Sequence, residues 1–226
     1  MVNKNGVSAE EFSKFYPVLY HMAEENTWES IKKHGLMSTT ALLDLYHIEG
    51  KRRDTIEKLH RPVCMEISNS RYGKAVIRDQ KPMSDKDLEK CLVRLRPTEW
   101  YQILNRHVFF WPTRKRLSTM LNARAYRSLK HTVLTIDTAL LLQKHKDESQ
   151  LTAINSGCTK PIPRPRGENT FLAFDSFPFT ERRKKYGKGN AVAELAVEYS
   201  VSNIRDYVIR VDHMIQEHVL ETIYKK

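Results

Sequence analysis

The sequence predicts an α+β fold in a single domain over residues 1–226. Three observations carry that reading. Strand-like and helix-like segments mix at irregular spacing, unlike the regular alternation of a doubly wound sheet. No internal repeat is visible. With 40% hydrophobic and 29% charged residues, the 226-residue chain is globular and long enough to bury a core.

The elements follow in order. FYPVLYHMA (15–23) reads as a buried strand with a polar tip. Asn26 caps the next helix, with Glu29 completing a capping box, Ile31 apolar and Gly35 as the stop. Short helices are expected over TTALLDLY (39–46) and KRRDTIEKLH (51–60), and strands over PVCMEI (62–67) and KAVIRD (74–79). Ser84 caps DKDLEKCL (85–92) and Thr98 caps EWYQILN (99–105). HVFFW (107–111) is the next strand. Thr113 caps RKRLSTMLNARAYRSL (114–129), where Leu117, Met120, Leu121 and Ala125 recur at helical spacing. HTVLTID (131–137) reads as a strand and TALLLQKHK (138–146) as a short helix. NSGCTKPIPRPRGE (155–168) is a long proline- and cation-rich loop, and such loops in compact domains are often functional. The strand-like TFLAF (170–174) comes next, and ERRKKYGKGN (181–190) reads as a basic, glycine-punctuated loop. AVAELAVEYSV (191–201) and DYVIRVD (206–212) finish the sheet.

Charge narrows the class. Lys and Arg total 38 against 27 acids, a formal +11 with a pI near 9.5, which favours a polyanionic partner. No run reaches the roughly 18–20 apolar residues of a membrane span, so no membrane partner is expected. MVNKNGVSAEEF has no apolar core, so no secretion signal is expected either. Three distant cysteines, Cys64, Cys91 and Cys158, suggest a reducing cytoplasm and neither a disulfide framework nor a metal site. There is no GxGxxG, P-loop, GxSxG, HExxH or paired CxxC, which argues against a Rossmann dehydrogenase, a P-loop NTPase and a zinc enzyme.

Several residues stand out. His21 either closes a strand or positions a ligand at the sheet's edge. Alternation sets Glu194 on one face with Val192, Ala196 and Glu198. That face is either solvated or a cleft wall, and a desolvated carboxylate needs a partner or a job. Arg78 either pairs with Asp79 or Glu66, or holds a pyrophosphate with its planar fork. Arg164, Arg166, Arg182, Arg183, Lys184 and Lys185, with Tyr186 and nearby phenylalanines, either form a solvated face or resemble a nucleic-acid groove.

Four pieces in order, LYHMAEENTWESIKKHGL (19–36), VIRDQ (76–80), VFFWPTRKRL (108–117) and AVAELAVEYSVSNIRDYVIRV (191–211), resemble the ADP-ribosyltransferase fold. The pattern looks most like DarT-type nucleic-acid ADP-ribosyltransferase toxins and related uncharacterised bacterial proteins. The resemblance implies a split β-sandwich with peripheral helices and NAD as co-substrate, with no metal. His21 matches the histidine that contacts the nicotinamide ribose, and Asn26 an NAD-contacting asparagine. Ala23 stands where the family pattern has threonine. Arg78 matches an arginine that orients NAD. Phe109, Phe110 and Trp111 occupy the strand that carries a stacking tyrosine, and Arg114 matches the arginine after the aromatic–proline step. Glu194 matches the catalytic glutamate, and the loop before it governs target choice. The implied activity is transfer of ADP-ribose to single-stranded DNA or RNA, as a toxin with an antitoxin partner. A protein acceptor and a non-catalytic nucleic-acid-binding module are the alternatives.

Overall fold

Two antiparallel sheets organise the chain in a computed structural model that describes residues 5–226. The first half holds α1 (Ala9–Phe15), β1 (Val18–Glu24), α2 (Trp28–His34), β2 (Leu36–Met37), α3 (Thr39–Leu45) and α4 (Gly50–Lys58). The hairpin β3 (Met65–Asn69) and β4 (Gly73–Ile77) follows, then α5 (Asp85–Glu89), β5 (Leu92–Val93), α6 (Pro97–Asn105) and β6 (His107–Phe110). Next come α7 (Arg114–Leu121), β7 (His131–Asp137), α8 (Thr138–His145), β8 (Ser149–Thr152), β9 (Arg166–Gly167), α9 (Phe179–Tyr186) and α10 (Lys188–Ala191). The chain ends with β10 (Glu194–Glu198), β11 (Ser200–Val201), α11 (Ile204–Tyr207), β12 (Val208–Ile215) and β13 (His218–Lys225). The class is α+β.

The larger sheet has the order β1-β7-β12-β13, and the smaller one β6-β10-β8. One core joins them: Leu19, Leu134 and Ile136 from the first meet Phe110, Leu195 and Val197 from the second. Burying each such side chain stabilises the fold by roughly 1.5–3 kcal/mol. Strand β10 is covered on both sides, because Ala196 on its other face packs with Trp100, Leu104 and Phe171. That explains its nearly unbroken apolar run. Tyr199, at φ 65°, ends β10 and turns the chain into β11, which pairs with β2. The β3–β4 hairpin and α3 share a separate cluster built on Leu43, Tyr46, Ile67 and Ile77.

Four departures from the sequence reading have local causes. The segment 181–190 is helical rather than a loop, since Phe179 is buried in the core and Arg183 lies 4.1 Å from the Phe15 ring centroid. Gly187, at φ 73°, ends that helix, so the glycine marks a helix terminus. Helix α7 stops at Leu121, where Asn122 caps it by donating from Nδ2 to Ser118 O (2.9 Å) and the chain turns inward to Tyr126. TFLAF is no strand; only Leu172 forms a bridge, to Leu151. Strand β13 has no counterpart in the sequence reading: its turn uses Gln216 at φ 50°, without a glycine. No helix among the described residues is long and apolar enough to cross a membrane.

Candidate active site

A backbone bridge links the two sheets beside their shared core. Tyr20 on β1 and Trp111 after β6 exchange backbone hydrogen bonds of 2.9 and 2.8 Å. One residue on, the His21 ring reaches β6, with Nδ1 2.8 Å from Phe109 O. A carbonyl only accepts, so Nδ1 carries the ring hydrogen and Nε2 is left as an acceptor. Burial lowers the His21 pKa to about 4, so the ring is neutral at physiological pH. Beside this bridge opens a cleft of about 330 Å³ that contains His21, Arg78, Phe109, Trp111 and Glu194 in its lining. That volume lies in the range of small-molecule pockets.

Glu194, the first residue of β10, is only 4% exposed. Its Oε2 accepts from Ser156 N (3.0 Å) and Ser156 Oγ (2.7 Å), with Thr152 Oγ1 at 3.3 Å. The Thr152 hydroxyl has one proton and a shorter bond to Ile154 O (2.7 Å), so Ser156 is the main holder. Oε1 has no hydrogen-bond partner and is not among the sealed polar atoms, so it opens to the cleft. Burial raises the Glu194 pKa, opposed by the Ser156 and Thr152 bonds and the charge of Arg116 on α7.

Arg78 follows β4 and is loosely held. Its guanidinium donates to Met22 O at 3.4 Å, lies 3.8 Å from the Glu24 carboxylate and 5.2 Å from the Tyr126 ring centroid. Tyr126 is fixed in turn by its hydroxyl on Asp79 (2.8 Å). Asp79 is therefore bound to tyrosine, and Arg78 pairs with neither Asp79 nor Glu66 but with Glu24. Another part of the wall is apolar: Leu42 and Leu45 of α3 and Tyr46 just after it line the cleft with Ala75 and Ile77 of the hairpin.

Other predicted site residues lie elsewhere. Asn26 is exposed, at φ 63°, and outside the lining; it does not cap α2 either, where Thr27 is the N-cap, and Glu29 pairs with Lys32 instead of closing a capping box. Phe110 is fully buried in the core and does not reach the cleft. Arg114 is exposed and outside the lining, 6.0 Å from the Tyr20 ring centroid and near Met214 Sδ. Arg166 is 2% exposed with its donors on main-chain carbonyls, so burial removes it from any phosphate-binding surface. Arg182 is partly committed too, donating to Ala191 O (2.6 Å) and Ala153 O (3.2 Å). Arg164, Arg183, Lys184, Lys185 and Tyr186 are exposed. Among the described residues, none of those four cations forms an ion pair.

Ala23 lines the cleft without a hydroxyl; Thr27 lines it too, with its hydroxyl donating to Glu24 O (2.7 Å). Sequence reasoning missed Ser156, Tyr126 and Asn155, all in the lining. Only the unusual length of the 155–168 loop pointed to the first and last of them. No group of three or more His, Cys, Asp or Glu is placed to hold a metal among the described residues.

Fold and site together define an α+β protein with a largely apolar cleft beside the bridge between two sheets, into which His21, Arg78 and Glu194 bring polar groups. A model described as a family of unknown function (DUF7002) matches residues 17–208, and the chain belongs to that family. The match starts just before β1 and spans every cleft residue from His21 to Glu194. Neither the curated proteins nor the solved structures yield a match.

Proposed function

We propose that the chain is an NAD-dependent ADP-ribosyltransferase with a split β-sandwich and peripheral helices, acting on single-stranded nucleic acid. One observation carries the reading. Glu194 is a buried carboxylate with one oxygen fixed by Ser156 and the other open to a cleft that also holds His21, Arg78, Phe109 and Trp111.

On this reading NAD is a substrate. Arg78 is loosely held in the free protein and turns its fork to the pyrophosphate. The neutral His21 ring accepts from a ribose hydroxyl. Phe109 and Trp111 flank the nicotinamide, and the apolar wall of Leu42, Leu45 and Tyr46 suits the adenine. The bond between ribose C1′ and the nicotinamide nitrogen breaks, and its electron pair leaves with neutral nicotinamide. The Glu194 carboxylate stabilises the oxocarbenium-like ribose in a low-dielectric cleft. A nitrogen or hydroxyl of the acceptor bonds to C1′ and gives its proton to Glu194, which returns it to solvent.

The acceptor reading rests on charge. Arg164, Arg183, Lys184 and Lys185 are exposed and form no ion pair among the described residues, and the exposed Tyr186 ring has Arg182 and Lys185 5.0 and 5.3 Å from its centroid. A base must leave its stack to react, which favours a single strand. A transferase of this kind acts as a toxin, with an antitoxin protein as the partner to seek. The test is nicotinamide release from NAD. Glu194→Gln keeps the volume and removes the charge, and is expected to slow release by on the order of a hundredfold or more. Equal rates would reject the assignment.

A further inference from the structure

We propose that Arg166 is a positioning residue: it ties the 155–165 loop so that Ser156 delivers two donors to one oxygen of Glu194 and leaves the other oxygen facing the cleft. This rests on the reading of Glu194 as the catalytic carboxylate.

Arg166 is buried without a carboxylate in contact. Its donors go instead to three main-chain carbonyls: Nε to Arg164 O (3.0 Å), Nη1 to Ser156 O (2.9 Å) and Nη2 to Cys158 O (2.9 Å). One guanidinium thus fixes the path of the loop from Ser156 itself through Cys158 to Arg164. The backbone under it is anchored as well. Arg166 N donates to Cys91 O (2.9 Å), and β9 pairs with β5. A Cβ on Gly167 would stand 2.7 Å from Val93 O, an approach only glycine permits. The guanidinium also lies 5.8 Å from the Trp100 ring centroid.

Packing alone would be served better by an apolar residue, since a buried arginine is costly to desolvate. What the arginine adds is the set of three directed bonds. Ser156, 1% exposed, then presents N and Oγ to Glu194 Oε2. Such bonds favour the ionised carboxylate against the burial that opposes it. Two cations are felt at Glu194, Arg116 on α7 and Arg166 itself, while His21 in the same cleft is neutral; Arg166→Lys keeps the charge and removes the three directed bonds, which separates positioning from charge.

The experiment is a carboxyl-carbon NMR titration of the ¹³C-glutamate-labelled full chain, with the Glu194 resonance assigned from Glu194→Gln. Ser156→Ala is expected to raise the midpoint by about one unit, and Arg166→Met by at least as much. Arg166→Lys should fall between, because one ammonium cannot span three carbonyls. Lys144→Ala, at an exposed cation on α8, should leave the midpoint in place. If Arg166→Met does not fold, Arg166→Lys is read in its stead. A folded Arg166 variant with the wild-type midpoint would overturn the proposal. In nicotinamide release, Ser156→Ala and the Arg166 variants should lower kcat and move the pH midpoint upward, with KM for NAD changed less than about threefold. Should Glu194→Gln release nicotinamide at the wild-type rate, the catalytic reading fails, and the titration still decides whether Arg166 orders the carboxylate.

Discussion

Removing the Arg78 side chain separates a ligand-binding arginine from a structural one. Its contacts in the free protein are weak. The Glu24 pair is 3.8 Å long with the side chains 22% and 30% exposed, and the Met22 carbonyl is 3.4 Å away. A partly exposed pair contributes about 0.2–1 kcal/mol, and a cation over a ring such as Tyr126 about 0.5–1 kcal/mol. Arg78→Ala should therefore lose near 1 kcal/mol of stability, a drop of about 2–4 °C in Tm for a chain of this size. Bound to a pyrophosphate, the fork makes two charge-assisted bonds of about 1.5–3 kcal/mol each. Less the contacts surrendered, the net loss on truncation is about 2–5 kcal/mol, a rise in Kd for NAD of about 30-fold to several thousandfold. Calorimetric titration with NAD beside a thermal melt measures both. A Kd within about threefold of wild type, or a Tm drop beyond about 10 °C, would refute the reasoning.

Other perturbations address neighbouring parts. His21 has a folded pKa near 4, below its unfolded value near 6.5, so the unfolded state binds the extra proton between those limits. Stability should fall as pH drops through that window, and denaturant titrations of His21→Gln should show a shallower fall than wild type. Phe110→Ala empties a core site and should cost about 3–5 kcal/mol in chemical denaturation. Phe109→Ala, in the cleft wall, should cost less stability and weaken NAD binding more; equal effects from the two would contradict their placement. Lys184→Glu with Lys185→Glu should weaken binding to single-stranded nucleic acid and flatten its salt dependence by about one unit of slope per lost phosphate contact. The Kd for NAD should not change.

Much of the frame was legible because it follows from periodicity. Strands β1, β6 and β7 and the Thr113 cap of α7 appear as apolar runs and a hydroxyl in the right place. Glu194 was legible as an acid flanked by Val192 and Ala196 in a strand-like run, but its surroundings were not. Ser156 is a hydroxyl in a loop, and no pattern marks which loop residue will reach a strand. Arg166 and Arg183 are alike in sequence, two cations in basic stretches. Only the folded chain separates the buried one, bonded to carbonyls, from the exposed one on α9. Asn26 shows the reverse error: a good capping residue takes a left-handed turn and Thr27 starts the helix. Strand β13 was hidden because it is an edge strand, mostly exposed, that follows a turn without glycine.

The most direct test is transfer of label from NAD carrying labelled adenylate. Wild type and Glu194→Gln are offered single-stranded DNA, RNA and a nuclease-treated cell protein extract in parallel. The account predicts label on one nucleic acid, lost in the variant. Label on protein alone would discard the nucleic-acid acceptor, and no label on any acceptor, with nucleic acid still bound by the wild-type chain, would contradict the transferase reading itself.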